Sequence, residues 1–323
     1  MAACIAMLMT IALTASPILS QEKKASAAAR DKQAQSDKPQ RQDQDEPVLL
    51  RADLVVVSVT VTDSAGQYAH GLGAKDFIVL EDGARQSVNS FSAEQSPFAA
   101  AILIDMSGSM EYKFGQVRGA AASFIDHIRE NDQVAVYGFN DKVRQLQDFS
   151  NVRDITDYLW DAKAENMTRL YDCMDEAVAA LVAREEKRRA ILLISDGWDS
   201  TSRKASLDSV MKKALSAGVT IYAVDLTDDD TMRGASTQAV NLLRGRSEMK
   251  EFADKTGGRY VRSPQGDKLE EEFTNIVEEL RNQYTLTYYS TNTKRDGRWR
   301  KLSVGLSKPG LTARSRKGYW AAK

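Results

Sequence analysis

The 323-residue chain has two cysteines, Cys4 and Cys173, and two histidines, His70 and His127. Cys4 sits in an apolar N-terminal stretch that reads as a leader, so Cys173 is left without a partner. No internal disulfide can form, and stability has to come from core packing. The same scarcity leaves no zinc site, for want of thiolate and imidazole partners. Cys173 itself falls in a predicted helix interior and reads as a small buried apolar residue. An excess of one charge is also missing. With 44 Lys and Arg against 45 Asp and Glu the net charge is −1, which points to neither nucleic acid nor an anionic membrane. There is no G-x-S-x-G and no H-E-x-x-H, so the common hydrolase signatures are absent. Gly71-Leu72-Gly73 lacks a third glycine and opens no βαβ unit, and it does not read as a phosphate loop.

What is present starts with 42% hydrophobic and 28% charged residues, an ordinary globular composition whose length favours about two domains. Residues 1–20 carry a nearly unbroken apolar run from Cys4 to Thr14, then small residues, Pro17 and Ser20-Gln21. This predicts a secretory signal peptide cleaved after Ser20, although the n-region has no Lys or Arg. The alternative, an uncleaved anchor, would have an apolar core too short to span a bilayer comfortably. Residues 21–48 are rich in Lys, Gln, Ala, Ser and Asp with hardly an apolar side chain, which predicts a disordered linker. A wall-binding or partner-binding tail is the functional alternative.

From Leu50 the pattern changes. Val55, Val57, Val59 and Val61 recur every second residue and predict a strand with one buried face. Phe77 to Leu80 predicts a second strand, Glu81-Asp82-Gly83 a hairpin turn, and Gln86 to Phe91 a third strand. Near the C-terminus, Tyr284 to Tyr289 and Trp299 to Leu306 flank Arg295-Asp296-Gly297 and predict another hairpin. Lone hairpins are marginal in water, so this one is expected to pack with the strands of residues 50–92.

Between these pieces the pattern is α/β, organised around Ala99 to Met110, AAAILIDMSGSM. A short, fully apolar run bounded by turn residues is what a strand buried on both faces looks like. Helical spacing follows over Gln116 to Arg129, and two further buried strands are expected over Gln133 to Phe139 and Val143 to Phe149. A helix is expected at Asp154 to Trp160, and Thr168 leads into another that runs through Leu181. A strand covers Arg189 to Ile194, a helix Leu207 to Ala217, a strand Val219 to Val224, and helices Met249 to Lys255 and Leu269 to Arg281. Strands alternating with helices predict a doubly wound, mainly parallel sheet. Arg184 to Arg189 reads as a solvated helix end. Asp228-Asp229-Asp230 reads as a solvated acidic loop, with a second cation site as the alternative.

The chemistry gathers where strands of such a sheet end. Asp105, Ser107 and Ser109 leave the first buried strand on a tight loop, and oxygen donors of that kind suit Mg²⁺, Mn²⁺ or Ca²⁺. Thr168 precedes a helix, and Asp196 ends another buried strand. The plain alternative is that the serines cap the next helix and Asp196 starts a turn.

Taken together, Asp105-Met106-Ser107-Gly108-Ser109, Thr168 in Thr168-Arg169-Leu170-Tyr171-Asp172, and Asp196 in Ile194-Ser195-Asp196-Gly197 resemble the metal-ion-dependent adhesion site (MIDAS) of the von Willebrand factor type A (VWA) domain. The resemblance covers about residues 97–283. The flanks, notably Asp76 to Gly83 and Arg314, Lys317, Gly318 and Tyr319, resemble a bacterial exported subfamily that brackets this domain with β segments. It implies a β domain at 49–96 and 284–323 surrounding a VWA domain at 97–283. It also implies an octahedral divalent cation bound directly by Ser107, Ser109 and often Thr168. Asp105 and Asp196 would act largely through waters, and a protein partner's Asp or Glu would complete the shell. The expected function is therefore an exported, non-enzymatic adhesion or assembly module that binds protein, not nucleic acid, and meets the membrane only through its export signal. The alternatives are a metal-dependent hydrolase and a structural scaffold with a vestigial metal site. In some relatives the last helix shifts on ligand engagement, and here Leu269 to Arg281 runs almost directly into Tyr284.

Overall fold

Side-chain alternation decides the central sheet. The computed structural model describes residues 54–93, 96–151, 167–227, 236–262, 264 and 267–323. The leader, the linker, the helix expected at 154–160 and the acidic run 228–230 lie outside them. Four strands come first: β1 (Leu54–Thr62), β2 (Phe77–Glu81), β3 (Ala84–Gln86) and β4 (Val88–Ser92). The alternating part follows as β5 (Phe98–Asp105), α1 (Phe114–Asp126), β6 (Gln133–Phe139), β7 (Val143–Ser150), α2 (Leu170–Val182), β8 (Arg188–Ser195), α3 (Leu207–Ala217), β9 (Val219–Asp225), α4 (Thr237–Thr256), β10 (Tyr260–Arg262) and α5 (Asp267–Arg281). The chain then returns to strands with β11 (Tyr284–Tyr289), β12 (Trp299–Leu306), β13 (Thr312–Ser315) and β14 (Gly318–Trp320).

All eight residues of β5 are buried, because it lies in the middle of the six-stranded order β10-β9-β8-β5-β6-β7. Ala100, Ile102 and Ile104 face a core shared with α1 and α5, whereas Ala99, Ala101 and Leu103 face one shared with α2, α3 and α4. This is the doubly wound α/β arrangement expected from the sequence, with five parallel strands. The sixth, β7, pairs antiparallel with β6 and is half-buried, so it is an edge strand and not another buried one.

The remaining strands form two four-stranded sheets, β13-β1-β11-β4 and β14-β12-β2-β3. Val55, Val57, Val59 and Val61 face a common core with Phe77, Val79, Tyr284, Leu286, Tyr288 and Leu302. Two expectations need correction. Tyr284–Tyr289 and Trp299–Leu306 do not form a hairpin with each other: β11 pairs with β1 and β4, and β12 with β2 and β14. The turn at Gly297, with φ +65°, instead carries the chain from one sheet to the other. Likewise the single strand expected over Gln86 to Phe91 is split. Gln86 pairs with Val79 and Val88 with Tyr288, one in each sheet.

α4 is much longer than its predicted Met249 to Lys255. Its buried positions include Gly245 and Glu248, where the apolar periodicity asks for large hydrophobic residues, so the pattern failed to register. Ser236 accepts a hydrogen bond from the Ala239 N–H at the start, and Gly257 ends the helix in the left-handed region.

Arg184 to Arg189 also differs from expectation. Arg184 pairs with Glu186 on the surface, but Arg188 is only 1% exposed and donates to main-chain oxygens near β4 and at the end of α5. A second buried tie holds α5 at the preceding residue. Glu279 accepts from Tyr222 Oη (2.7 Å), Arg314 Nη2 (2.5 Å) and Thr60 Oγ1 (3.3 Å). Any movement of α5 therefore has to carry or break contacts with β9, β13 and β1.

Candidate metal centre

β5 and β8 are parallel neighbours in register, with Ile104 opposite Ile194, so Asp105 and Asp196 leave the sheet at the same edge. Asp105 is fully buried. Its Oδ1 accepts from the Ser107 N–H at 2.9 Å, and its Oδ2 from Ser195 Oγ at 2.5 Å. Ser195 in turn accepts from the Gly197 N–H at 2.8 Å. Ser107 opens a 3-10 turn over Gly108–Lys113 but makes no side-chain capping bond to it, which removes the capping alternative for that residue. Its hydroxyl lies 3.1 Å from Ser109 Oγ, and Ser109 Oγ donates to Asp196 Oδ2 at 2.6 Å. Four of the five residues singled out in the sequence are thus joined through side chains or their immediate backbone.

Burial pushes the Asp105 carboxyl above the usual carboxylate range, and the charge of Asp196 adds to the rise. Asp196 is raised by burial as well. The Ser109 hydroxyl, the Trp198 N–H and the charge of Lys113 oppose that shift. Neither carboxylate forms an ion pair with a described residue. Two adjacent buried acids without a paired cation are costly, and a divalent ion would compensate both. The donors are all oxygen, which fits a hard cation better than a nitrogen- or sulfur-seeking one. Among the described residues no group of three or more His, Cys, Asp or Glu could hold a metal, so an ion here would depend on the hydroxyls.

Thr168 is brought to this edge through its main chain. Its N–H donates to Ser200 Oγ at 2.8 Å, and its carbonyl accepts from the Ser200 and Thr201 N–H groups, both in the loop beyond Asp196. The Arg169 N–H donates to Asn140 O, just past β6. The Thr168 side chain is buried, and its hydroxyl makes no hydrogen bond with a described residue. Its side chain makes no hydrogen bond to any of the other four.

Asp172, in the first turn of α2, fastens the same loop by accepting from the Arg203, Lys204 and Ala205 N–H groups. Burial works to raise its carboxyl, but these three donors and Arg169 outweigh it and hold it below the usual range. Its stabilisation is therefore present above the unfolded value of about 3.9 and lost as pH falls through the depressed folded value. Asp172→Asn is expected to cost about 1–3 kcal/mol at neutral pH. Urea unfolding should show that gap narrowing below about pH 4, and a gap that widens on acidification would contradict the assignment.

Three features of the site escaped the sequence reading. Ser195 supports Asp105. Gly197, at φ +86°, lies against Gly245 of α4: a Cβ on either would come within 2.7 Å of the other's backbone. Asp225, at the end of β9, is a third fully buried acid on this edge. It is compensated within the protein by Arg246 Nε at 2.7 Å and Tyr260 Oη at 2.5 Å, which sets it apart from Asp105 and Asp196. The only signal for it in the sequence was an aspartate closing a buried run, the same local pattern that ends β5.

Comparison with known proteins agrees with this layout. The family model described as the von Willebrand factor type A domain matches residues 101–241. No curated protein matches the chain. Among solved structures the chain is similar to a von Willebrand factor type A protein from Catenulispora acidiphila, at 11% identity and TM-score 0.47, covering 84% of this chain and 74% of that one. An aerotolerance-related membrane protein from Bacteroides fragilis NCTC 9343 is similar at 15% identity and TM-score 0.44, over 57% of this chain and 98% of that one. Proximal thread matrix protein 1 from the mussel byssus, with a zinc-occupied MIDAS motif, is similar at 18% identity and TM-score 0.46, over 62% of this chain and 49% of that one. Residues 101–241 of the chain match the von Willebrand factor type A domain.

Proposed function

We propose that the protein is an exported binding module whose sheet edge holds a divalent cation and recognises a carboxylate on a protein partner. The observation that carries this reading is the chain of contacts from Ser107 through Ser109 to Asp196, with Asp105 buried beside it and neither acid ion-paired with a described residue. Ser107, Ser109 and Thr168 would hold the ion, and Asp105 and Asp196 would stand behind them. Bound there, the ion supplies an electrophilic site for a partner's Asp or Glu. Neutral hydroxyls nearest the ion neutralise less of its charge than carboxylates would, which preserves its attraction for an incoming anion. Mg²⁺ is the ion we favour, with Mn²⁺ and Ca²⁺ as close alternatives on the same donor chemistry.

Binding is favoured over catalysis because neither histidine, the commonest general base, stands at this edge. His127 follows α1 at the end away from Asp105, its Nδ1 2.6 Å from the Ser123 carbonyl. His70 lies between β1 and β2. We also propose the division of the folded part into a β domain at 49–96 and 284–323 with the VWA domain at 97–283 inserted. No helix among the described residues is long and apolar enough to cross a membrane; export rests on the N-terminal sequence.

Mg²⁺ at one hundred times its dissociation constant is expected to stabilise the protein by about 2.7 kcal/mol. Asp105→Asn should lose that increment. In EDTA the variant should be no less stable than the parent, since one of two buried like charges has gone. Thermal unfolding with and without Mg²⁺ tests both statements. Capture of a partner from the source extract should likewise fall in EDTA and in Asp105→Asn, and undiminished capture in both would remove the adhesion reading.

A further inference from the structure

A second candidate site lies at the opposite edge of the central sheet, where β8 begins and α3 passes into β9. A cavity of about 560 Å³ opens there between α3, β1 and the last residues of the sequence, within the size range of small-ligand sites. Its lining carries charge of one sign. Arg189, Lys212, Arg316 and Lys323 contribute four cations, and among the described residues no Asp or Glu lines it. Leu54 and Val182 form part of the wall and remain 48% and 49% exposed. Water-facing apolar walls beside a cluster of cations suit a ligand that is itself apolar at one end and anionic at the other.

Arg316 is the built element. It is 7% exposed, its Nη1 donates to the Leu215 carbonyl, and its guanidinium lies 5.2 Å from the centre of the Tyr319 ring. No acceptor among the described residues meets its Nε. Buried charges are ordinarily paired; here Glu81 favours the charged form through space, and no described Asp or Glu lines the cavity itself. Lys212 stands exposed on α3 at the rim, and Arg189 is already committed to the Glu186 and Arg184 carbonyls. The polar contacts open to a ligand therefore come mainly from Lys212, Lys323 and the Arg316 guanidinium.

We propose that this cavity binds a small amphipathic anion, a carboxylate or phosphate group on an apolar body, with the charge toward Arg316 and Lys212 and the body along Leu54 and Val182. The proposal is independent of the metal centre, which lies at the other edge. It is tested by titrating the full chain calorimetrically with octanoate, octyl phosphate and neutral octanol, each in EDTA. At least one anion should bind saturably and octanol about ten-fold more weakly or not at all. The tighter of the two anions identifies the headgroup. Lys212→Glu, at an exposed position, should weaken the anion by about ten-fold, and Val182→Asp should do the same through the apolar wall. Asp105→Asn should leave it unchanged. Octanol binding as well as the anions, failure of both anions to saturate, or unchanged affinity in both cavity variants would each overturn the proposal.

Discussion

Replacing Arg188 with methionine is expected to lower the unfolding free energy by about 3–5 kcal/mol, the range for removing one side of a buried, charged hydrogen-bond network. The guanidinium is only 1% exposed and reaches three separate parts of the chain. Nη2 donates to the Ala93 carbonyl at 2.7 Å and Nη1 to that of Ser96 at 3.2 Å, on the path from β4 to β5. Nη1 also meets the Leu280 and Arg281 carbonyls at 3.3 and 3.0 Å, the last of α5, while Nε donates to Thr285 Oγ1 of β11 at 3.2 Å. Methionine fills comparable volume but satisfies none of these oxygens, and buried carbonyls without donors each cost about 1–3 kcal/mol. Arg188→Lys should recover little of the loss, because a single ammonium cannot reproduce the planar fork. Guanidinium-chloride unfolding provides the measurement. A change below about 1 kcal/mol, the scale of exposed ion pairs, would show that the arginine is not the clamp described here.

Gly245→Ala should destabilise the protein by about 1–3 kcal/mol, the usual cost of overpacking, and weaken Mg²⁺ binding by about ten-fold or more. The sign is the informative part. In an unobstructed helix interior, alanine is better than glycine by about 1 kcal/mol, so propensity alone predicts stabilisation. Here the new Cβ would lie 2.4 Å from Gly197 C, 2.5 Å from Gly197 O and 2.7 Å from Trp198 N. All three are backbone atoms, which cannot rotate away as a side chain would. Relief requires moving either α4 or the loop that follows Asp196, and the loop is tied to Asp105 through Ser195. Gly197→Ala meets the mirror-image clash and also has to hold φ at +86°, so it should be the more damaging of the two. Thermal unfolding and Mg²⁺ calorimetry on both variants separate the claims. A stabilised Gly245→Ala would refute the close approach, whereas loss of stability with unchanged metal affinity would uncouple that approach from the site.

Much of the fold was legible because its signals are local. The run Ala99 to Ile104 announces a strand covered on both faces, and alternating valines announce β1 with one. The five oxygen-bearing residues were legible for the same reason, since each ends a strand or precedes a helix in recognisable turn chemistry. The pairing of strands was not. β11 and β12 have the composition and spacing of a hairpin, yet each joins a different sheet, because side-chain alternation specifies which face is buried and not which neighbour supplies the hydrogen bonds. The start of α4 was lost for a related reason. Its interior face carries Gly245 and Glu248, one admitting a loop and the other accepting from Tyr171 Oη at 2.5 Å, and neither looks like a core residue in isolation.

The sequence by itself determined the class of fold and the sheet edge at which Asp105, Ser107, Ser109 and Asp196 meet, since apolar periodicity and turn residues act over a few neighbours. Tertiary structure alone decided that Arg188 is a buried clamp, that Asp225 pairs with Arg246 while Asp105 and Asp196 pair with no described cation, and that four cations line one cavity. Those outcomes depend on groups far apart in the chain meeting where water is excluded, and the strength and even the sign of a charge's contribution is set by what it meets there.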